Sequence, residues 1–321
     1  VNEFKWSNDG KMIYFTAPVL GTVQLFEVAL PKTADKITAP RQITSGQFDV
    51  RGIVGHEKNS MVVLRGDMNH ASELYHVDLK TGEMRQITQA NTEFYNNIEL
   101  SKVEKRMVKT TDGKDMLCWV IYPPNFDPAK KYPTLLYCQG GPQGALSQFY
   151  SFRWNFQLMA SHGYIIIAPN RRGMPGYGVE WNEQISKDYG GQNMDDYLSA
   201  IDDLSKESYV DKKRLGRIGA SYGGYSAFYL ASHHNNRFKT FVAHDGIFNW
   251  KSMYGTTEEL FFVNWDLGGP YWELNEDTKN AYGPFNPAEH VGKWNTPILI
   301  IQGGKDFRVP IGQGLEAFQA A

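Results

Sequence analysis

With 321 residues, 41% of them hydrophobic and 14% aromatic, the chain has the material for two packed domains or one large one, which excludes a disordered segment. Its 33 basic and 35 acidic residues leave a formal net charge of −2, which argues against a phosphate-binding face and a nucleic-acid partner. Plainly apolar runs such as residues 164–168 fall far short of the ~18 needed to span a bilayer, so no membrane span is expected.

The first hundred residues carry an imperfect repeat. Met12-Ile13-Tyr14-Phe15 is echoed by Met61-Val62-Val63-Leu64 and Leu25-Phe26-Glu27-Val28 by Leu74-Tyr75-His76-Val77, both 49 residues on; Arg41-Gln42-Ile43-Thr44 returns 44 residues on as Arg85-Gln86-Ile87-Thr88. Each unit reads as short strands separated by turns such as Asn8-Asp9-Gly10 and Thr81-Gly82. Four strands in ~40 to 50 residues are the texture of a β-propeller blade, and residues 1–108 are expected to be the last two blades of such a domain. Two blades cannot close a propeller, so further blades are expected before Val1, which is preceded by neither an initiator Met nor a signal-peptide pattern.

From about Lys109 the pattern changes. Runs at 117–122, 134–138, 164–168, 215–219, 240–243 and 298–301 read as strands, several continuously apolar, and alternate with helix-compatible segments. Residues 109–321 are therefore expected to form an α/β sheet domain. Asp196, Ala200 and Leu204 fall on one stripe of a helix that can lie against the sheet. The only cysteines, Cys118 and Cys138, sit in strand-like runs and are expected as buried free thiols; without a CxxC pair or Cys/His cluster, no metal or other cofactor is expected.

The run Gly219-Ala220-Ser221-Tyr222-Gly223-Gly224 ends one apolar strand and begins a helix-like pattern, 222–232. The pentapeptide alone recurs by chance, but between strand and helix it is the layout of a nucleophile elbow, with Ser221 as nucleophile. Ile298-Leu299-Ile300-Ile301 runs into Gln302-Gly303-Gly304-Lys305-Asp306, which puts a carboxylate at the sheet end where α/β folds bind ligands, and Asp306 is the expected orienting acid. The hydrolase order is serine, acid, histidine. None of the eight histidines follows Asp306, and His244, which precedes it, breaks that order. The catalytic histidine, with the last strand and helix, is expected beyond Ala321, and an isolated 1–321 fragment is expected to be inactive. For the oxyanion, the amide of Tyr222 is one expected donor; the Gly140 amide, on the loop Cys138-Gln139-Gly140-Gly141-Pro142, is the other, with Gln139 nearby. The loop Asn170-Arg171-Arg172-Gly173 is read as sheet-end packing, with substrate contact the other reading. The aromatic-rich stretch 248–272 offers Trp250 and Tyr254 as pocket residues, although most of its rings are expected in the core.

Together these residues resemble the prolyl oligopeptidase family of serine peptidases. Asp196, Ala200, Leu204, Gly219, Ser221, Gly223, Gly224 and Tyr225 meet its active-site pattern, whereas Ser226 stands where an apolar residue is usual and Gln139 where His or Tyr is usual. The likeness is to the family's dipeptidyl-peptidase and acylaminoacyl-peptidase branches. It implies an α/β hydrolase domain preceded by propeller blades, an acyl-enzyme route, short peptides as substrates, and a periplasmic location, with the cytoplasm and a homodimer left open. It implies release of N-terminal dipeptides, the amine held by acidic side chains, for which Glu258 and Glu259 are the candidates in this chain. Acylaminoacyl-peptide or broader oligopeptide cleavage is the alternative. A non-catalytic propeller-based binding protein is the rival from another class, and intact Ser221, Asp306 and glycine loops argue against it.

Overall fold

The computed structural model describes residues 1–321 except 32, 34, 35 and 37. Alternating apolar residues punctuated by tight turns produce β1 (Glu3–Trp6), β2 (Met12–Val19), β3 (Thr22–Ala29) and β4 (Arg41–Gln42), hydrogen-bonded in that order as an antiparallel sheet. A second such sheet follows, from β5 (Asp49–Glu57), β6 (Ser60–Gly66), β7 (Glu73–Asp78) and β8 (Met84–Gln86). The sequence repeat maps onto β2, β3 and β4 against β6, β7 and β8, and each sheet has the four strands of a propeller blade. Their apolar faces meet through Leu25, Val50, Ile53, Met61, Val63 and Val77, all buried. A short helix, α1 (Thr92–Asn96), follows.

The chain divides into two compact units: residues 1–101 with 145–158, and 102–144 with 159–321. The division departs from the expected 108/109 boundary in two places. The strand β9 (Val103–Lys109) pairs along its whole length with β10 (Asp115–Ile121) in the second unit. Its sequence, Val-Glu-Lys-Arg-Met-Val-Lys, has the mixed polarity of an exposed edge strand and so reads like the blade strands before it. The segment 145–158 joins the first unit through side chains far away in sequence. Asp49 Oδ2 accepts from Ser147 Oγ at 2.6 Å, its Oδ1 accepts from the Val23 and Gln148 amides at 2.8 and 3.2 Å, and Arg51 Nη1 donates to the Tyr150 carbonyl at 3.0 Å.

Burial pushes the Asp49 carboxyl up to about 6, against the hydrogen bonds from Ser147, Val23 and Gln148 that pull it down. Between about pH 4 and 6 the folded chain keeps a proton there that the unfolded chain releases, so stability falls as pH rises through that window, by up to ~3 kcal/mol. Asp49→Asn keeps an acceptor for the two amides and is expected to remove that slope, melting higher than the parent at pH 7.5 and nearly with it at pH 4. Thermal unfolding across pH 4–8 checks this; parallel profiles for parent and variant would refute it.

The second unit holds a seven-stranded sheet in the order β15-β14-β13-β11-β12-β10-β9, with β11 (Tyr132–Cys138), β12 (Ile165–Pro169), β13 (Val210–Ala220), β14 (Thr240–His244) and β15 (Ile298–Ile301). β9, β10 and β12 pair antiparallel; β12, β11, β13, β14 and β15 are parallel. Every residue of β12 is buried, which is why the run reads as uninterrupted apolar sequence. The helices, in chain order, are α2 (Phe156–Ser161), α3 (Val179–Glu183), α4 (Gln192–Leu204), α5 (Tyr222–Ala231), α6 (Trp250–Thr256), α7 (Leu260–Leu267), α8 (Glu276–Tyr282) and α9 (Ile311–Ala320). α4 packs on β11 and β12 with Asp196, Ala200 and Leu204 all inward, and α5 packs on β13 and β14. This is the α/β hydrolase arrangement. Both cysteines are free and buried, and among the described residues no helix is long and apolar enough to cross a membrane.

Candidate active site

The loops after β11, β12, β13, β14 and β15 all leave the carboxyl ends of parallel strands, the edge at which open α/β sheets bind ligands. At the centre, Ser221 links β13 directly to α5 with φ 58° and ψ −121°, a conformation that costs a non-glycine residue about 1–3 kcal/mol. Two hydrogen bonds hold it there: the Ser221 amide donates to the His244 carbonyl at 3.0 Å, and the Ser221 carbonyl accepts the first helical bond, from the Tyr225 amide, at 2.9 Å. The turn is tight enough that the backbone carbonyl of Cys138 occupies the space of a Cβ on either Gly219 or Gly223. The expected elbow is therefore present, and Ser221 opens on a cleft of about 460 Å³.

Tyr222 also lines the cleft; its amide begins α5, and its hydroxyl donates to the Tyr189 carbonyl at 2.8 Å. Gly140 lies against the elbow: a Cβ there would sit 2.7 Å from the Ala220 carbonyl oxygen and 3.3 Å from the Ser221 Cβ. Gly141 and Pro142, the next two residues of that loop, line the cleft. The Gln139 side chain turns to Tyr137, whose hydroxyl donates to Oε1 at 2.8 Å, and is not part of the cleft lining.

Asp306 lies in the turn after β15, where its Oδ1 accepts from the Arg308 and Val309 amides at 3.0 and 2.9 Å. The turn is tied to the end of β14 by Asp245, whose Oδ1 accepts from the Gly303 amide at 2.7 Å. Arg308 and Val309 line the same cleft as Ser221. His244 Nε2 is 3.3 Å from Asp245 Oδ2.

The expected pocket residues divide. Glu259 lines the cleft and pairs with Arg308 Nε at 2.9 Å, while Glu258 pairs with Arg308 Nη2 at 3.1 Å and is not in the lining. Trp250 is fully buried, packed edge-on against Tyr189 and tilted against Tyr225 at ring distances of 5.7 and 5.4 Å. It is a core residue, not a pocket wall, because its indole fills the space between α5 and α6. Tyr254 packs edge-on against Tyr271 and Trp272 and donates to Asn264 Oδ1 at 3.1 Å, outside the cleft. The aromatic wall is instead on α7, where Phe261 and Trp265, four residues apart, share the cleft-facing side while Val263 and Leu267 go to the core. That spacing was the available signal. Asp266 had none: it is buried at the cleft wall, accepting from Ser186 Oγ at 2.8 Å and the Tyr189 hydroxyl at 2.6 Å.

A serine held on a strained elbow, backbone amides beside it and a carboxylate on a neighbouring loop are the parts of an acyl-transfer site. Among the described residues no group of three or more His, Cys, Asp or Glu side chains could hold a metal ion.

Comparison with known proteins agrees with this geometry. Residues 2–117 match the dipeptidyl peptidase IV N-terminal region. The chain is 48% identical over 321 residues to dipeptidyl-peptidase 5 of Porphyromonas gingivalis, covering 100% of this chain and 46% of that protein, and 49% identical over 309 residues to dipeptidyl-peptidase 5 of Porphyromonas endodontalis, covering 96% and 44%. It thus spans about half the length of the curated relatives it matches. Among solved structures it is similar to the Pyrococcus horikoshii acylaminoacyl peptidase, with a TM-score of 0.84 at 25% identity over 99% of this chain and 48% of that one. Residues 150–321, more than half of the chain and including both Ser221 and Asp306, match the prolyl oligopeptidase family model, and the chain belongs to that family.

Proposed function

We propose that the full natural polypeptide is a serine exopeptidase that releases N-terminal dipeptides through an acyl-enzyme. The observation that carries this reading is Ser221 on its strained elbow, opening on an aromatic-walled cleft. Ser221 attacks the scissile carbonyl, and the amides of Tyr222 and Gly140 receive the oxyanion. Asp306 orients the general base, a histidine. Dipeptide release is favoured by the 48% and 49% identity to proteins named dipeptidyl-peptidase 5. The likeness to an acylaminoacyl peptidase supports the second reading, cleavage behind a blocked amine. Glu258 and Glu259, the acidic candidates for holding a free amine, share Arg308, which leaves them weak anchors in this arrangement.

The test is cleavage of a chromogenic dipeptide amide by the full polypeptide beside the same compound with its amine acetylated. Faster turnover of the free-amine form, reduced by ~10⁶ in Ser221→Ala, is expected. Preference for the acetylated form would move the assignment to the acylaminoacyl-peptidase branch, and turnover surviving in Ser221→Ala would remove the elbow from the chemistry.

A further inference from the structure

Arg171, the second residue of the loop after β12, is fully buried, and its guanidinium is held by uncharged oxygens. Nη1 donates to the Pro142 carbonyl at 2.8 Å and to the Arg172 carbonyl at 2.6 Å, Nη2 to the Gln139 carbonyl at 3.4 Å, and Nε to the Tyr197 hydroxyl at 3.0 Å. The same guanidinium lies 4.6 Å from the ring centroid of Tyr222. One rigid fork therefore grips the 139–142 loop on both sides of Gly140-Gly141 and packs against the first residue of α5.

The consequence follows from the peptide group itself. The Gln139 carbonyl and the Gly140 amide belong to one planar unit, and in a trans peptide they point in opposite directions. A carbonyl fixed toward Arg171 turns the Gly140 N–H away from Arg171, and Gly140 lies against Ser221. We propose that Arg171 is a positioning residue that aims the Gly140 amide at the oxyanion formed on attack by Ser221. The inference rests on the reading of that amide as an oxyanion donor. Arg172 makes a natural contrast. It is equally buried, but its side chain binds Asp112, Thr110 and Asp196, where that of Arg171 grips the 139–142 loop.

The test uses the full natural polypeptide and its chromogenic substrate. In Arg171→Met, kcat is expected to fall about 100-fold with KM within about threefold, the loss that removal of one oxyanion donor produces. Affinity for a dipeptide boronate, whose tetrahedral adduct mimics the oxyanion, is expected to fall in parallel, while affinity for the free dipeptide product stays. Arg171→Lys, a point charge able to reach one carbonyl, is expected to recover about tenfold of the lost kcat. Arg172→Met is expected to lower the melting temperature but leave kcat within about threefold. Unchanged kcat in Arg171→Met overturns the proposal, as does a loss of kcat in Arg171→Met matched by Arg172→Met at equal melting temperature. If Arg171→Met does not fold, Arg171→Lys decides, and full kcat there overturns it. Turnover surviving in Ser221→Ala overturns the underlying reading instead.

Discussion

Replacing Asp306 with asparagine is expected to lower kcat of the full polypeptide by about 10⁴, with KM within a few-fold and melting behaviour close to that of the parent. The two backbone bonds from Arg308 and Val309 both fall on Oδ1, and the amide of asparagine offers an oxygen that can accept them equally well. Oδ2 is the proposed acceptor for an imidazole N–H, and there an NH₂ group presents a donor, which favours the wrong tautomer of the base. The loop should survive the change, because Asp245 anchors it independently through Gly303 and the β14–β15 pairing continues to Ile301. Steady-state kinetics and a melting curve on the same preparation separate the two effects. A variant that keeps a tenth or more of the parental kcat would sink Asp306 as the orienting acid. Asp306→Ala is a poorer test, since it also removes the acceptor that closes the turn.

The elbow and the central strands could be read directly because their physics is local. A strand buried on both faces shows itself as a continuous apolar run, as in β12, and a Gly-x-Ser-x-Gly string between strand and helix leaves few alternatives for Ser221. Residues whose role depends on distant partners could not be read. Asp49 looks like any strand-initiating aspartate until Ser147 and Gln148, about a hundred positions on, close over it. Arg171 and Arg172 are adjacent in one loop, yet one grips carbonyls beside the elbow and the other a carboxylate pair. The aromatic-rich stretch after β14 failed for a related reason. Composition shows that rings are abundant there, and only the packing decides that Trp250 fills the core while Phe261 and Trp265 face the cleft.

Replacing Gly223 with alanine is expected to cost more than ~3 kcal/mol, and to prevent serine-directed covalent labelling of the fraction that folds. The new Cβ would fall on the carbonyl oxygen of Cys138 and 3.0 Å from its carbonyl carbon. Both are backbone atoms of β11, fixed by parallel pairing on either side, with Cys138 opposite Gly219. No rotamer change can relieve the overlap, so α5 must lift or β11 must bow outward. Either movement shifts the Ser221 hydroxyl relative to Gly140, which follows Cys138 by two residues. Gly255, on the exposed side of α6, has open space where its Cβ would be, and Gly255→Ala is expected to be neutral or to stabilise by about 0.5–1 kcal/mol. Thermal unfolding of both variants with active-site titration by a fluorophosphonate checks the contrast. Equal stability and labelling of the two would mean that close contact between α5 and β11 does not hold the elbow in shape.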